Sequence, residues 1–397
     1  DSCRLAQRRA AEAFPGGFGR MMVYLDNSAT TAVCPAAAEK AVYMMTSCFG
    51  NPSSLHTLGF HAEQEMTTAR RIAADWLGVK PAELVFTSGG TESNNLALFG
   101  ATEAKKRQGR HVVTTAVEHS SIMAACTALE QAGGEITRLQ PDAQGQITPA
   151  QVVEACRPDT VLVSVMMVNN ETGARFRVEN MVPAIRRKCP RALIHCDVVQ
   201  AAGKLPLNLT RLGVDLASVS GHKLHAPKGV GLLYVRRGVR LVPRAVGGGQ
   251  EAGLRSGTEA TPAIAALGAA IQSLPSPAEQ DALYQRLRRR LMDGLADRAD
   301  VRFHLPPDGV PYVIHLSVPG VRSETMLHFL AEREIYVSSG SACSKGKKSP
   351  VLTAMGLPDE DIDSALRISL GYGNTEEDID AFVQALKLAA DTLARKR

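Results

Sequence analysis

Val85-Phe-Thr-Ser-Gly-Gly-Thr-Glu-Ser93 reads as a short strand, a glycine turn and the start of a helix. That joint belongs to sheets whose strands alternate with covering helices. The same turn suits a phosphate, because Gly89 and Gly90 free backbone amides, Thr91 adds a hydroxyl and the helix N-terminus carries about half a positive charge. An ordinary capped helix would use the same residue types.

Working outward, apolar runs at 83–87, 111–117, 160–168, 192–198, 215–220 and 230–235 alternate with helical patterns at 91–108, 119–132 and 178–189. The alternation predicts an α/β fold: a mostly parallel sheet covered by helices on both faces, with ligands at strand ends and the loops that follow. From about residue 276 the character changes. Pro275-Ser-Pro277 opens a charged helix over 278–298, short strands follow near 301–305 and 312–318, and a helix covers 323–334. The chain closes with an amphipathic helix, Glu376 to Lys396, that puts Ile379, Phe382, Val383, Leu386, Ala390 and Leu393 on one face and is capped by Asn374 or Thr375. We therefore expect a large domain over 30–275 and a smaller α+β domain from 21–29 and 276–397. No internal repeat is visible. Residues 1–20 are arginine-rich, lack the apolar core of a secretory signal and read as a flexible extension.

Composition excludes several classes. The 397 residues are 45% hydrophobic and 21% charged, enough to bury roughly three quarters of the unfolded surface. No apolar run approaches the roughly 18 residues of a membrane span. The net charge of +5 is mild, and the cluster Arg286 to Arg290 has no interleaved aromatics, so it predicts a solvated helix face rather than a nucleic-acid groove. Eight cysteines, at 3, 34, 48, 126, 156, 189, 196 and 343, form no C-x-x-C pair. They point to a reduced, cytoplasmic protein with no structural metal site.

Ser218-Val-Ser-Gly-His-Lys-Leu-His-Ala-Pro-Lys-Gly-Val-Gly231 offers Lys223 from a turn of small residues and histidines, as a chain presents an amine for a Schiff base. Leu193-Ile-His-Cys-Asp-Val-Val-Gln200 places Asp197 and Gln200 at the end of a strand-like run. A reactive lysine, a carboxylate for a pyridine nitrogen, a polar group for a ring hydroxyl and a phosphate cup are together what pyridoxal 5'-phosphate requires.

With those residues in place, the chain resembles cysteine desulfurases of the NifS/IscS branch, in the class V aminotransferase family of pyridoxal-phosphate enzymes. The resemblance runs from Tyr24-Leu-Asp-Asn-Ser-Ala-Thr-Thr31 to Arg367-Ile-Ser-Leu-Gly371. It includes Gly50-Asn-Pro-Ser-Ser-Leu-His56, Glu118-His-Ser-Ser121, Asn169-Asn-Glu-Thr-Gly173, Arg255-Ser-Gly-Thr-Glu259 and Ser338-Ser-Gly-Ser-Ala-Cys343. It implies the aspartate-aminotransferase-like architecture (fold type I), with a sheet of the seven-stranded type. It also implies that Lys223 carries the cofactor, that His119 stacks on its ring and moves protons, and that Asp197 and Gln200 meet the ring nitrogen and phenolic oxygen. Gly90, Thr91, Ser220 and His222 would hold the phosphate, joined by Thr258 from the second subunit of a homodimer. Asn170 and Arg367 would bind the substrate carboxylate, a task that suits a guanidinium fork. Taken one at a time, His119 could cap its helix, Asp197 a turn, and Arg367 could make a surface ion pair.

The implied reaction takes L-cysteine to L-alanine and leaves sulfur as a persulfide on Cys343. The local sequence supports that role independently. Ser338 to Ser349 holds two glycines and no large apolar side chain, and three lysines lie within five residues of the sulfur, a setting that favours thiolate. The segment from Ser344 to Pro350 is shorter and more basic than in housekeeping members, which leaves open the sulfur-acceptor protein, whether an iron–sulfur scaffold or a tRNA-thiolation enzyme. Rival readings are a selenocysteine lyase or a transaminase on the same scaffold and, from another class, a non-catalytic sulfur carrier. A transaminase has no use for Cys343, and a carrier has none for Lys223, His119, Asp197 and Arg367. Gly340-Ser-Ala-Cys-Ser-Lys-Gly-Lys-Lys348 has the wrong spacing for a nucleotide loop.

Overall fold

The structure, a computed structural model, describes residues 22–339 and 348–393. Strand β1 (Val23–Tyr24) is followed by helices α1 (Pro35–Thr46) and α2 (Thr57–Leu77). Then come β2 (Leu84–Thr87), α3 (Gly90–Lys105), β3 (His111–Thr115), α4 (Ser120–Gln131), β4 (Glu135–Leu139), α5 (Pro149–Ala155) and β5 (Thr160–Ser164). The core continues through α6 (Val178–Lys188), β6 (Leu193–Asp197), α7 (Leu209–Leu212), β7 (Leu216–Ser220) and β8 (Gly231–Val235).

These strands form one seven-stranded sheet in the order β2-β8-β7-β6-β5-β3-β4. All neighbours are parallel except β8, which runs antiparallel to both β2 and β7. Every residue of β2, β3, β5, β6, β7 and β8 is buried, so these strands stand out in sequence as segments rich in Val, Leu and other apolar residues, though His, Thr, Ser and Asp interrupt most of them. Strand β4 lies at the edge, with Glu135 exposed and the rest half-buried. Its mixed composition gives no such run, and the sequence reading passed over it. Helices cover both faces: Leu96, Ile122 and Leu162 belong to one apolar cluster, and Phe86, Met181 and Ile194 belong to a larger one.

The larger cluster continues into the C-terminal third. There α8 (Thr261–Ser273) packs on α1 and α2, and α9 (Pro277–Gly294) packs on the last helix. Strands β9 (Arg302–Phe303), β10 (Val313–Ser317) and β12 (Ala365–Ser369) make an antiparallel sheet, and β11 (Ile335–Tyr336) pairs parallel with β1. Helices α10 (Ser323–Ala331), α11 (Pro350–Ala354), α12 (Asp359–Asp363) and α13 (Glu376–Thr392) complete the fold. Thr375 caps α13 in a box with Asp378. Asn374 instead ties the helix start to the N-terminal segment by donating to the carbonyl of Tyr24. Arg290, in the basic run of α9, pairs with Glu376 and Asp380 of α13 at 2.6 Å while staying exposed.

Several expected boundaries moved. The runs 111–117 and 160–168 extend past β3 and β5, which end at Thr115 and Ser164. Beyond Ser164 the amides of Val165 and Met167 still donate to the His195 and Asp197 carbonyls at 3.1 and 2.9 Å, and Val168 bridges Arg175. The expected helices at 278–298 and 323–334 end at 294 and 331.

Candidate active site

The β2–α3 joint is shaped by glycine. Gly89 has φ +149°, a conformation L side chains rarely adopt. Gly231 on the neighbouring β8 is as constrained, since a Cβ there would come within 2.6 Å of the Gly89 Cα. Gly90 begins α3, and no side chain caps that helix. A methyl on Gly89 would lie 3.7 Å from Ser220 Oγ, so the bare turn and the buried Ser220 hydroxyl border the same space. Thr91 is exposed in the first turn. His222 Nδ1 meets Thr30 Oγ1 at 3.2 Å, and burial followed by repulsion from Lys223 pushes its pKa down to about 4, leaving a neutral ring that can donate a hydrogen bond. Thr258 is exposed. Its segment is tied to the same joint three residues earlier, where Arg255 Nε donates to Glu92 Oε1 at 3.0 Å.

Asp197 ends β6, next to Ser218 of β7 in register. It is buried, yet its partners are neutral: Asn94 Nδ2 donates to Oδ2 at 2.8 Å and the Val199 amide to Oδ1 at 2.9 Å. Asn94 also donates to Ser121 Oγ at 2.9 Å, and that hydroxyl lies 2.8 Å from His119 Nδ1. The Ser121 amide donates to the same nitrogen, so the neutral ring carries its proton on Nε2. His119 is therefore both the N-cap of α4 and a member of the Asp197 network. Burial lowers its pKa, Asp197 opposes that shift and Lys223 adds to it.

Gln200 is buried, donates through Nε2 to the Ser28 carbonyl at 3.1 Å and leaves Oε1 without a partner. Lys223 Nζ donates to the carbonyls of Ser28 and Ala29. Burial, then the charges of Lys204 and Arg367, push its pKa down to about 7 against the pull of Asp26 and Asp197. A lysine poised near neutrality is the form that can bond to an aldehyde or accept a proton.

Arg367 lies on β12, opposite His315 of β10, and is 2% exposed. Its guanidinium donates to Asp26 Oδ1 at 2.7 Å and to the backbone carbonyl of Asn170 at 3.0 Å. Asn170 thus meets Arg367 through its main chain. The Asn169 side chain builds that turn by accepting from the amides of Glu171 and Thr172 at 2.9 Å each. Cys343 lies outside the described residues.

Asn94, Asp26 and the carbonyls of Ser28 and Ala29 belong to the site but were not picked out from sequence. Asn94 sits one helical turn beyond Thr91, on a helix whose apolar pattern gives no sign of a polar partner across the sheet. Asp26 lies within the Tyr24 to Thr31 motif, where only its pairing with Arg367 distinguishes it.

The residues present fit pyridoxal phosphate. A carboxylate held by neutral donors, a glutamine with an open valence, a lysine of lowered pKa and a glycine turn beside a buried serine are assembled around one region. Among the described residues no group of three His, Cys, Asp or Glu side chains is arranged to hold a metal ion.

The fold and site define an aminotransferase-type enzyme, and the aminotransferase class-V family model matches residues 23–382. The chain belongs to that family, in its branch of IscS and NifS-like proteins. It is 42% identical over 385 residues to the cysteine desulfurase IscS of Vibrio vulnificus, with 94% of each chain covered. A solved NifS-like protein is 35% identical and covers 94% of this chain and 100% of its own, at a TM-score of 0.89. The structure of SspA in complex with cysteine is 34% identical over 87% of this chain and 98% of its own, at a TM-score of 0.78.

Proposed function

We propose that this protein is a cysteine desulfurase that uses pyridoxal phosphate, takes sulfur from L-cysteine as a persulfide on Cys343 and releases L-alanine. The observation that carries the reading is the pairing of a buried, cation-free Asp197 with a lysine whose pKa is near 7. Lys223 would hold the cofactor, Asp197 its ring nitrogen, Gln200 its phenolic oxygen, and Gly90, Thr91, Ser220 and His222 its phosphate. When bound, the cofactor supplies an electron sink for the amino-acid carbon.

The chain's own groups do the rest. Arg367 binds and orients the substrate carboxylate, sharing it with Asp26, while the Asn170 turn fixes the guanidinium. Lys223, neutral near pH 7, accepts the proton from the α-carbon. Asp197 offers its carboxylate to the ring nitrogen, held in place by the Asn94 side chain and the Val199 amide, both neutral donors. His119 Nε2–H can donate a hydrogen bond to a reacting group, with Nδ1 held as an acceptor by Ser121. The Cys343 thiolate attacks the substrate sulfur, so that one C–S bond breaks, one S–S bond forms and a proton completes the alanine methyl group.

A second copy of the chain would complete the phosphate site with Thr258. Support comes from the apolar surface of residues 42–60, where Tyr43, Met45, Phe49, Leu55 and Phe60 are 45% to 105% exposed. Large apolar side chains exposed together in one stretch of chain suit a protein–protein contact. The six cysteines of the described residues are buried and unpaired, which suits a reducing cytoplasm, and no helix there is long and apolar enough to cross a membrane. The small domain of 21–29 and 276–397 would close one side of the site, and the persulfide would pass to an iron–sulfur scaffold or a tRNA-thiolation enzyme.

The test is product stoichiometry. Purified protein with pyridoxal phosphate, L-cysteine and excess dithiothreitol should yield alanine and sulfide in equal amounts, and Cys343→Ala should yield neither above background. Pyruvate with no alanine, or undiminished turnover by Cys343→Ala, would end the reading.

A further inference from the structure

Lys204 is a lysine for which the reaction above has no use. It lies in the turn after β6, four residues beyond Gln200, and is 6% exposed. Its ammonium has no hydrogen-bond partner among the described residues. An unpaired buried ammonium is costly, and chains seldom keep one without a return. The surrounding structure fixes it in place: Gln280 Nε2 donates to the Gly203 carbonyl at 2.6 Å, Tyr284 donates to Gln280 Oε1 at 2.8 Å, and Tyr312 donates to the Gln200 carbonyl at 2.8 Å. The Lys204 nitrogen lies 5.1 Å from the centre of the Tyr312 ring, whose face attracts a cation without supplying a counter-charge. Lys204 and Lys223 line one small void, together with Asn27, His225, Gln280 and Tyr284.

We propose that Lys204 is a positioning residue for the reaction, a fixed buried positive charge that expels the proton from the amine of Lys223. The inference rests on Lys223 being the reactive amine, as proposed above.

The other charged and titratable groups around the pair do not supply this effect. Asp26, from the N-terminal segment, and Asp197, from β6, pull a proton toward Lys223, and Arg367 of β12 repels it while shared with Asp26. His222 and His225 are both held down near 4 and are neutral, His119 is likewise lowered, and burial pushes the Tyr284 and Tyr312 hydroxyls up. Among the charges lowering Lys223, Lys204 ranks ahead of Arg367. Lys204 itself is lowered to about 8, by burial and then by Arg367.

The experiment reads the Lys223 amine directly. The full-length chain, freed of cofactor, is labelled with trace acetic anhydride across a pH series, and the Lys223 peptide is quantified by mass spectrometry. The wild-type midpoint should lie near 7. Lys204→Met should raise it by about one pH unit or more, and Lys204→Arg, which keeps the charge, should leave it within about 0.3 unit. A methionine of similar volume removes an unpaired charge, so the variant should fold at least as well as wild type. Independently of any variant, raising salt from about 0.05 to about 0.5 M should move the wild-type midpoint by less than about 0.3 unit, because buried charges escape screening. An unchanged midpoint in a folded Lys204→Met protein, an equal shift in Lys204→Arg, or a salt shift of about one unit would each overturn the proposal. No cysteine enters the assay. An inactive protein that shows the shift therefore refutes the desulfurase reading alone, and an active one without it refutes the role of Lys204 alone.

Discussion

Two walls of the site hold buried charge in different ways. Asp197, at the end of β6, is surrounded by neutral donors, an asparagine side chain and a backbone amide. Arg367, on β12, is paired with a carboxylate, Asp26, at 2.7 Å. A permanent guest with a protonated nitrogen would meet a carboxylate whose hydrogen-bond donors are both neutral. A transient guest with a carboxylate would have to share Arg367 with Asp26, which weakens its hold and favours release. The difference suggests that the first wall is built for occupancy and the second for turnover.

The comparison can be broken most decisively at the lysine between the walls. Lys223→Ala should reduce alanine formation by about 10³-fold or more, since it removes the amine proposed both to anchor the cofactor and to accept the α-proton; steady-state kinetics with L-cysteine would measure this. Asp197→Asn should come next, with kcat lower by about 10²-fold and a weakened hold on pyridoxal phosphate visible by dialysis and absorbance. Arg367→Lys should act mainly on KM, raising it by about tenfold, because a single ammonium cannot reproduce the two parallel bonds of the fork. If its effect fell on kcat alone, the contrast between occupancy and turnover would be lost. The smallest effect is expected at Glu118, a fully buried neighbour of His119 whose pKa burial pushes up to about 8. Its folded-state pKa is above the ordinary carboxylate value, so its contribution to stability is complete at low pH and is lost as pH rises toward 8. Glu118→Gln should therefore match wild type in urea melts at pH 5 and exceed it at pH 8.

How much was legible in the sequence follows from burial. Strands β2, β3, β5, β6, β7 and β8 were visible because every residue of each is buried, which leaves their sequences rich in apolar residues. The edge strand β4 and helices α1, α2 and α8 were not, since their composition carries no comparable signal. The site divided similarly. Lys223, Asp197, Gln200, Ser220 and Arg367 stand in motifs; the structure places the first four at strand ends and the turns after them, and Arg367 in the middle of β12. Asn94 and Lys204 were missed because their importance lies in what they meet across the fold: one polar group opposite Asp197, one charge beside Lys223. The bland alternative for His119 proved compatible with the functional one, because the same nitrogen caps α4 and joins the Asp197 network.

Gly89 and Gly231 carry a consequence for how this protein can change over time. Position 89 demands glycine through its backbone angle, and position 231 demands it because any side chain would strike the Gly89 backbone. One lies in the turn after β2 and the other on β8, far apart in the chain, yet neither can be replaced first without displacing the helix start beside Ser220. Random drift is thus blocked at both, and a lineage that kept the rest of the fold while losing either glycine would have reshaped the turn that the proposed function gives to the cofactor phosphate.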